Sequence, residues 1–310
     1  MSVAEEEVEE VPSPFVEGTW VQWAWDATSL EWLKRCPRYY QYKIEGWNPT
    51  EENVHLRWGQ EYHRAMHDYD ILRHDELNHE DALFELVKEV LWRIQDWDPD
   101  HKYKNRSTLI RSIIGYLDQH QNDPAETFID ATGKPAVEYR FEFQLDYGPT
   151  EDKFYTLCGY LDKVVTFNGD RFIKDYKSTT STPSDYYWRQ FDPNNQMTLY
   201  TLAGQVAFQV PVKGVIIDSA QIMIDSTRFT RGITYRTQEQ LDEWLVDLKY
   251  WLEKAQEYAQ DGYWPMNDTA CDKYGGCKFR EICSKSPDSR EIFLKSNFTK
   301  EEPWNPLKPR

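Results

Sequence analysis

Residues 159–179, GYLDKVVTFNGDRFIKDYKST, contain two runs rich in β-branched and aromatic side chains, joined by Asn168-Gly169. Asn-Gly is the preferred two-residue hairpin connection, because both positions must take positive φ. Such a turn sets the register: Phe167 faces Asp170, Val165 faces Phe172, and Asp162 faces Asp175. Side chains alternate across a strand, so Asp162, Asp175 and Lys177 share one face. Directly opposed residues have Cβ atoms about 4.5–5.5 Å apart, and like charges there are destabilising. A hard divalent cation offsets the repulsion, since carboxylate oxygens suit Mg²⁺ or Mn²⁺. A lysine beside them supplies positive charge where a phosphoryl transition state gathers negative charge. An exposed hairpin with solvated charges would fit the same pattern, so the alternation alone leaves both readings standing.

Around this hairpin the pattern predicts a mixed α and β chain. Thr28 and Glu31 have capping-box spacing and open a short helix that Pro37 ends or kinks. Residues 50–130 read as a helical insertion, with 3.6-residue periodicity around Trp58 to Leu72, Asp81 to Gln95 and Thr108 to Gln119. Residues 134–225 alternate as strands over Ala136 to Leu145, Phe154 to Phe167 and Arg171 to Ser178. A helix opened by Asp192-Pro193 and a buried strand from Gly214 to Ile224 follow, and a long amphipathic helix spans Thr237 to Gln260. Residues 1–18 combine charge with two prolines and read as a disordered acidic arm, a candidate contact for a protein partner. Residues 19–290 are expected to form a single domain whose 262–290 segment is cysteine-rich, and residues 291–310 to form a tail.

The formal net charge is −17, and the acidic excess persists when the five glutamates of the first ten residues are set aside. That field repels phosphate and argues against nonspecific coating of nucleic acid or anionic membrane. No run of 18 apolar residues exists, so no membrane span is expected, and a cytoplasmic location follows as an expectation. Five cysteines in 310 residues do not suggest a disulfide scaffold. Cys158 sits inside a strand and reads as a core thiol. Cys36, Cys271, Cys277 and Cys283 could together hold zinc or an iron–sulfur cluster, although the C-x-x-C pairs that zinc knuckles favour are absent.

Seven elements in order resemble the RecB/AddB-like, iron–sulfur exonuclease branch of the PD-(D/E)XK nucleases, the type also found among CRISPR-associated and phage enzymes. They are Ser29-Leu30 leading into Cys36-Pro37-x-x-Tyr40, Gly59-x-x-x-His63, Glu138 on a strand, Gly159-x-x-Asp162, Asp175-Tyr176-Lys177, Gln196-x-x-x-Tyr200, and Cys271-x5-Cys277-x5-Cys283. The first carboxylate is preceded by Leu161 where the superfamily's name would place proline. The resemblance implies a restriction-endonuclease-like α/β core, a central mixed sheet flanked by helices, with a helical insertion. It also implies a 4Fe–4S clasp through Cys36, Cys271, Cys277 and Cys283 that joins N- and C-terminal segments. In this likeness His63, Asp162, Asp175 and the Tyr176 carbonyl would bind Mg²⁺ or Mn²⁺, and Lys177 would position or polarise the attacking water. Glu138 would be an accessory catalytic carboxylate. Gln196 and Tyr200, one helical turn apart, would approach the substrate strand.

The activity implied is a metal-dependent deoxyribonuclease, single-stranded DNA being the expected substrate and exonucleolytic action the expected mode, in recombination, repair or replication. An endonuclease or flap nuclease on the same core, and a non-catalytic iron–sulfur DNA-binding scaffold, are the alternatives. A stand-alone chain without a helicase fits phage or mobile-element DNA metabolism, which would make the location the host cytoplasm. Clusters at Lys34, Arg35 and Arg38 and at Lys102, Lys104, Arg106 and Arg111 could line a groove for a few phosphates. Against the overall charge, a narrow single-strand channel or delivery by a partner protein is expected.

Overall fold

A computed structural model describes residues 11–51 and 53–309. In chain order its elements are β1 (Ala24–Trp25), α1 (Ala27–Arg35), α2 (Pro37–Ile44), β2 (Trp47–Pro49), α3 (Val54–His74), α4 (His79–Arg93), α5 (Arg106–Gln119), β3 (Glu126–Thr127), β4 (Val137–Gln144), β5 (Thr156–Phe167), β6 (Asp170–Thr179), α6 (Asp185–Trp188), α7 (Asn195–Phe208), β7 (Val212–Ile222), β8 (Thr227–Tyr235), α8 (Gln238–Asp261), α9 (Arg280–Cys283), α10 (Arg290–Asn297) and β9 (Phe298–Lys300). The chain forms two compact units. The first comprises residues up to Thr50, Glu142–Gly159 and from Val246 onward; the second comprises Glu51–Phe141 and Tyr160–Leu245.

In the first unit, α1 starts earlier than the Thr28/Glu31 reading, because Asp26 caps it: Ser29 N–H donates to Asp26 Oδ1 at 2.8 Å. Pro37 follows the end of α1 and occupies the first turn of α2, where its missing N–H costs nothing. Trp25 stacks on Tyr40 at 5.4 Å, and the Tyr40 hydroxyl donates to Gln22 Oε1 at 2.6 Å. β1 runs parallel to the start of β5, and β2 runs antiparallel to β9. Both expected tails need correction. Residues 1–10 lie outside the described residues, but Phe15 is buried and meets Trp20 edge-on at 5.2 Å, so the arm is structured by that point. The segment from 291 forms most of α10 and then β9, and Leu294 and Leu307 are buried in it. In both places a few apolar side chains within polar sequence find a core, which composition averages conceal.

The second unit is built on the strand order β5-β6-β7-β8, with β3 and β4 also paired to β5. The turn is as the sequence dictates: Asn168 and Gly169 have φ of 51° and 84°, and the ladder runs from Phe167↔Asp170 to Lys163↔Lys174. β6 and β7 are parallel, connected through α7, while β7 and β8 are antiparallel. α3, α4 and α5 form a helical layer whose Trp58, Tyr62, Met66, Leu86, Val90 and Ile113 share a core with Tyr176 of β6 and Ile222 of β7. α7 lies on the opposite sheet face, its Gly204 close to the Ile173 side chain, three positions before Tyr176. That helix begins at Asn195 and not at Asp192-Pro193: Asn194 caps it by accepting from Met197 N–H at 3.1 Å.

Candidate metal and catalytic site

The β5–β6 ladder delivers both carboxylates to one place. Asp162, just before Lys163, and Asp175, just after Lys174, stand next beyond the ladder's last pair and are 5% and 1% exposed. Asp162 Oδ2 accepts from Tyr176 N–H at 3.1 Å and lies 3.0 Å from His63 Nδ1. His63 reaches it because α3 buries Trp58, Tyr62 and Met66 in the helical core, which fixes the rotation of the helix. One oxygen of Glu138, one of Asp162 and a ring nitrogen of His63 lie within 4.8 Å of one another. Glu138 has φ of 41°, a left-handed conformation that residues other than glycine seldom adopt and that is concentrated at functional sites.

Asp175 is held from the other side. Lys177 Nζ donates to Asp175 Oδ1 at 3.0 Å, lies 2.8 Å from Oδ2, and donates to Gln196 Oε1 at 2.9 Å. Gln196 Nε2 donates to the Tyr200 hydroxyl at 3.0 Å. The sequence-predicted residues therefore converge on one site: His63, Glu138 and Asp162 on one flank, Asp175, Lys177, Gln196 and Tyr200 on the other.

The electrostatics follow from burial. Burial foremost pushes the Asp175 carboxyl above the usual range, with Lys177 pulling against it and the Asp162 charge adding to it. Burial alone would lower the Lys177 ammonium, but the Asp175 and Asp162 charges outweigh it and raise it. His63 behaves likewise: burial opposes its protonation, and the Asp162 charge and hydrogen bond win. The donor set fits a divalent cation. It is carboxylate-rich with one imidazole, and Asp162 and Asp175 bring two buried carboxylates together beside a single lysine.

Two features were not anticipated. On the opposite side of the same hairpin, Lys163 pairs with Asp70 at 2.6 Å, and Lys174 pairs with Asp123 at 2.5 Å and Asp218 at 3.2 Å. Arg231 joins Asp123 and Asp218, both at 2.6 Å, and the Tyr116 hydroxyl donates to Asp218 Oδ2 at 2.5 Å. The period-two pattern places Lys163 and Lys174 inward once Asp162 and Asp175 are assigned to the other face; the partners come from distant segments. Second, three residues of the expected basic grooves are occupied internally. Lys104 is buried over Trp58 and donates to Ser178 Oγ at 2.8 Å, with burial lowering its pKa to about 8. Arg111 donates to the carbonyls of Met223, Ile224 and Ser226, and Arg38, in the first unit, donates to that of Trp264.

In the first unit Cys36, Cys271, Cys277 and Cys283 line one cavity together with Tyr39, Met266, Ala270 and Phe279. No disulfide links them. Asn267 N–H donates to Cys36 Sγ at 3.3 Å, and Cys277 N–H to the Cys271 carbonyl at 2.8 Å. Burial foremost raises the Cys271 and Cys283 thiols, with the Cys277 and Cys36 sulfurs adding to it and Arg280 near Cys271 and Arg38 near Cys283 pulling against it. Four sulfur donors around one cavity fit zinc or an iron–sulfur group. Cys158 is a packed core thiol beside Trp23, Ala24 and Leu307.

No curated protein matches the chain. Among solved structures it is similar to one named "Putative exonuclease" from Eubacterium rectale, at 11% identity and a TM-score of 0.47, covering 80% of this chain and 85% of that one. It is also similar to the structure of SSO0001, at 12% identity and a TM-score of 0.29, covering 76% and 75%. The model of the PD-(D/E)XK nuclease superfamily matches residues 24–284, a span that takes in both carboxylates, Lys177 and the four cavity cysteines. A match over that much of the chain, on a mixed sheet carrying this cluster, shows that the protein belongs to the PD-(D/E)XK nuclease superfamily.

Proposed function

We propose that this nuclease is a metal-dependent deoxyribonuclease that digests single-stranded DNA from an end. The observation that carries the reading is the buried pair Asp162 and Asp175 flanked by His63 and Lys177. His63, Glu138, Asp162, Asp175 and the Tyr176 carbonyl would hold Mg²⁺ or Mn²⁺, which when bound supplies Lewis-acid stabilisation of charge on the scissile phosphate. Lys177, kept protonated by the carboxylates beside it, orients the attacking water and offers a fixed cation to the phosphoryl oxygens. Gln196 fixes the Lys177 ammonium and, through Tyr200, is itself fixed, so the lysine does not have to be ordered at the moment of reaction.

A single strand is favoured over a duplex because the chain is acidic and Lys104, Arg111 and Arg38 are committed to internal contacts. Such a surface holds a long phosphate lattice poorly. Digestion from an end, and a role in recombination, repair or replication, rest on the resemblance of the motif order to the exonuclease branch. The same resemblance makes the four-cysteine cavity a 4Fe–4S site with a structural part. End-labelled linear and closed circular single-stranded DNA, each incubated with Mg²⁺, Mn²⁺ or EDTA, test the proposal, with Asp175→Ala alongside. The expected result is metal-dependent loss of the linear strand only. Cutting of the circle would replace exonuclease with endonuclease, and equal inertness of wild type and Asp175→Ala would overturn catalysis altogether.

A further inference from the structure

The stretch between β6 and α7 presents an exposed aromatic ring and an exposed cation on a segment tied, through Tyr187, to the strand position paired with Lys177. Tyr186, in α6, is 85% exposed, the most open of the large hydrophobic side chains in the described residues. Arg189 lies three positions later, in the 3₁₀ turn that continues α6, and is also exposed. Residues three apart on a helical turn are surface neighbours. Arg189 has no ion pair among the described residues.

The segment under these two side chains is rigidly attached. The Tyr187 hydroxyl is hydrogen-bonded to Ser219 Oγ at 2.7 Å, and Ser219 is the β7 register partner of Lys177. The Trp188 ring covers Gly232 so closely that a Cβ there would lie 2.5 Å from it. Phe191 is buried, and Gln221 Nε2 donates to Thr182 Oγ1 at 3.1 Å. Every anchor faces the sheet, which leaves Tyr186 and Arg189 facing solvent.

We infer that Tyr186 and Arg189 form a single-strand recognition platform, with an unpaired base of the substrate stacking on the Tyr186 ring and an adjacent phosphate meeting the Arg189 guanidinium. An aromatic ring can stack only on a base whose face is open, so the platform selects single strands over duplexes. The inference rests on the nuclease reading for its biological meaning and deepens it by naming the groups that choose the strand.

The test is fluorescence anisotropy with a fluorescein-labelled 12-nucleotide single strand of mixed sequence, and with an abasic strand of the same length. Both are measured in an Asp175→Asn background so that the strand survives. Tyr186→Ala is expected to raise Kd about five- to hundredfold for the base-bearing strand and to leave the abasic strand unaffected, while Tyr186→Phe binds like the parent. Arg189→Gln is expected to weaken both strands and to flatten the slope of log K against log salt by about 0.7. Equal affinities of Tyr186→Ala and its parent for the base-bearing strand would overturn the inference. Because binding is read without turnover, the two proposals fail separately. An inert wild-type protein whose affinity still depends on Tyr186 would sink the nuclease reading and support the platform; an active nuclease indifferent to Tyr186 would do the reverse.

Discussion

Asp175 is 1% exposed, and the Lys177 ammonium beside it also feels the charge of buried Asp162. Two buried carboxylates that share one lysine are stabilised by a further cation. Mn²⁺ added to the purified protein is therefore expected to raise Tm, by the equivalent of about 2.7 kcal/mol at a hundredfold excess over Kd. Differential scanning fluorimetry would show the shift, and Asp162→Asn is expected to abolish it. Lys177→Met should lower kcat by about 10²–10³ while leaving the Mn²⁺ shift in place, because the lysine acts on charge developed in the transition state; a steady-state assay on a single strand reads this directly. The pairing of Asp162, Asp175 and Lys177 was legible in the sequence, since an Asn-Gly turn leaves one register and alternation does the rest. The left-handed backbone of Glu138 was not, nor were the partners of Lys163 and Lys174, because both depend on segments far away in the chain.

The β5–β6 hairpin and the ionic network behind it can be tested as elements. Gly169 has φ of 84° and open space where a Cβ would stand, so Gly169→Ala introduces backbone strain and nothing else. Urea denaturation should show a loss of about 1–2 kcal/mol, with the activity of the folded fraction unchanged. The network ties this hairpin to β7, β8 and the segment after α5. Burial alone would raise the Asp123 carboxyl, but hydrogen bonds and charges from Arg231 and Lys174 hold it well below the usual range. A depressed carboxyl contributes stability above its unfolded value and loses it as pH falls through the folded one. The Tm of Asp123→Asn should thus lie well below wild type at pH 7, by the equivalent of about 3–5 kcal/mol, and the gap should narrow only below about pH 4. Periodicity located α3, α4, α5, β5, β6, β7 and α8 to within a few residues. It missed β8, where Arg231 and Gly232 interrupt the apolar alternation because they serve a charge network and the close approach of Trp188.

At the level of the whole chain, the acidic surface predicts weak salt dependence. If only a few phosphates are engaged, log K for a single strand should fall with log salt at a slope of about −0.7 for each, two to three in total, and anisotropy across a salt series measures it. The 4Fe–4S group proposed for the four-cysteine cavity would give an absorbance near 400 nm after anaerobic purification, lost in Cys283→Ser; metal analysis returning zinc in place of iron would overturn that proposal. Chain connectivity was the least legible property. The resemblance linked Cys36 to the last cysteines, but no local pattern reveals that three separated segments make one compact unit.

That interleaving bears on how the protein is made. β2 needs β9 as its partner, with Asn48 and Glu301 hydrogen-bonded 253 residues apart, whereas the second unit is complete by Leu245. On the ribosome, the unit carrying the carboxylates can therefore assemble while the first fifty residues still await their partner strand. A nascent chain that has emerged only as far as Leu245 would hold a finished second unit and a β2 still without its partner, a state exposed to proteases and aggregation until β9 emerges.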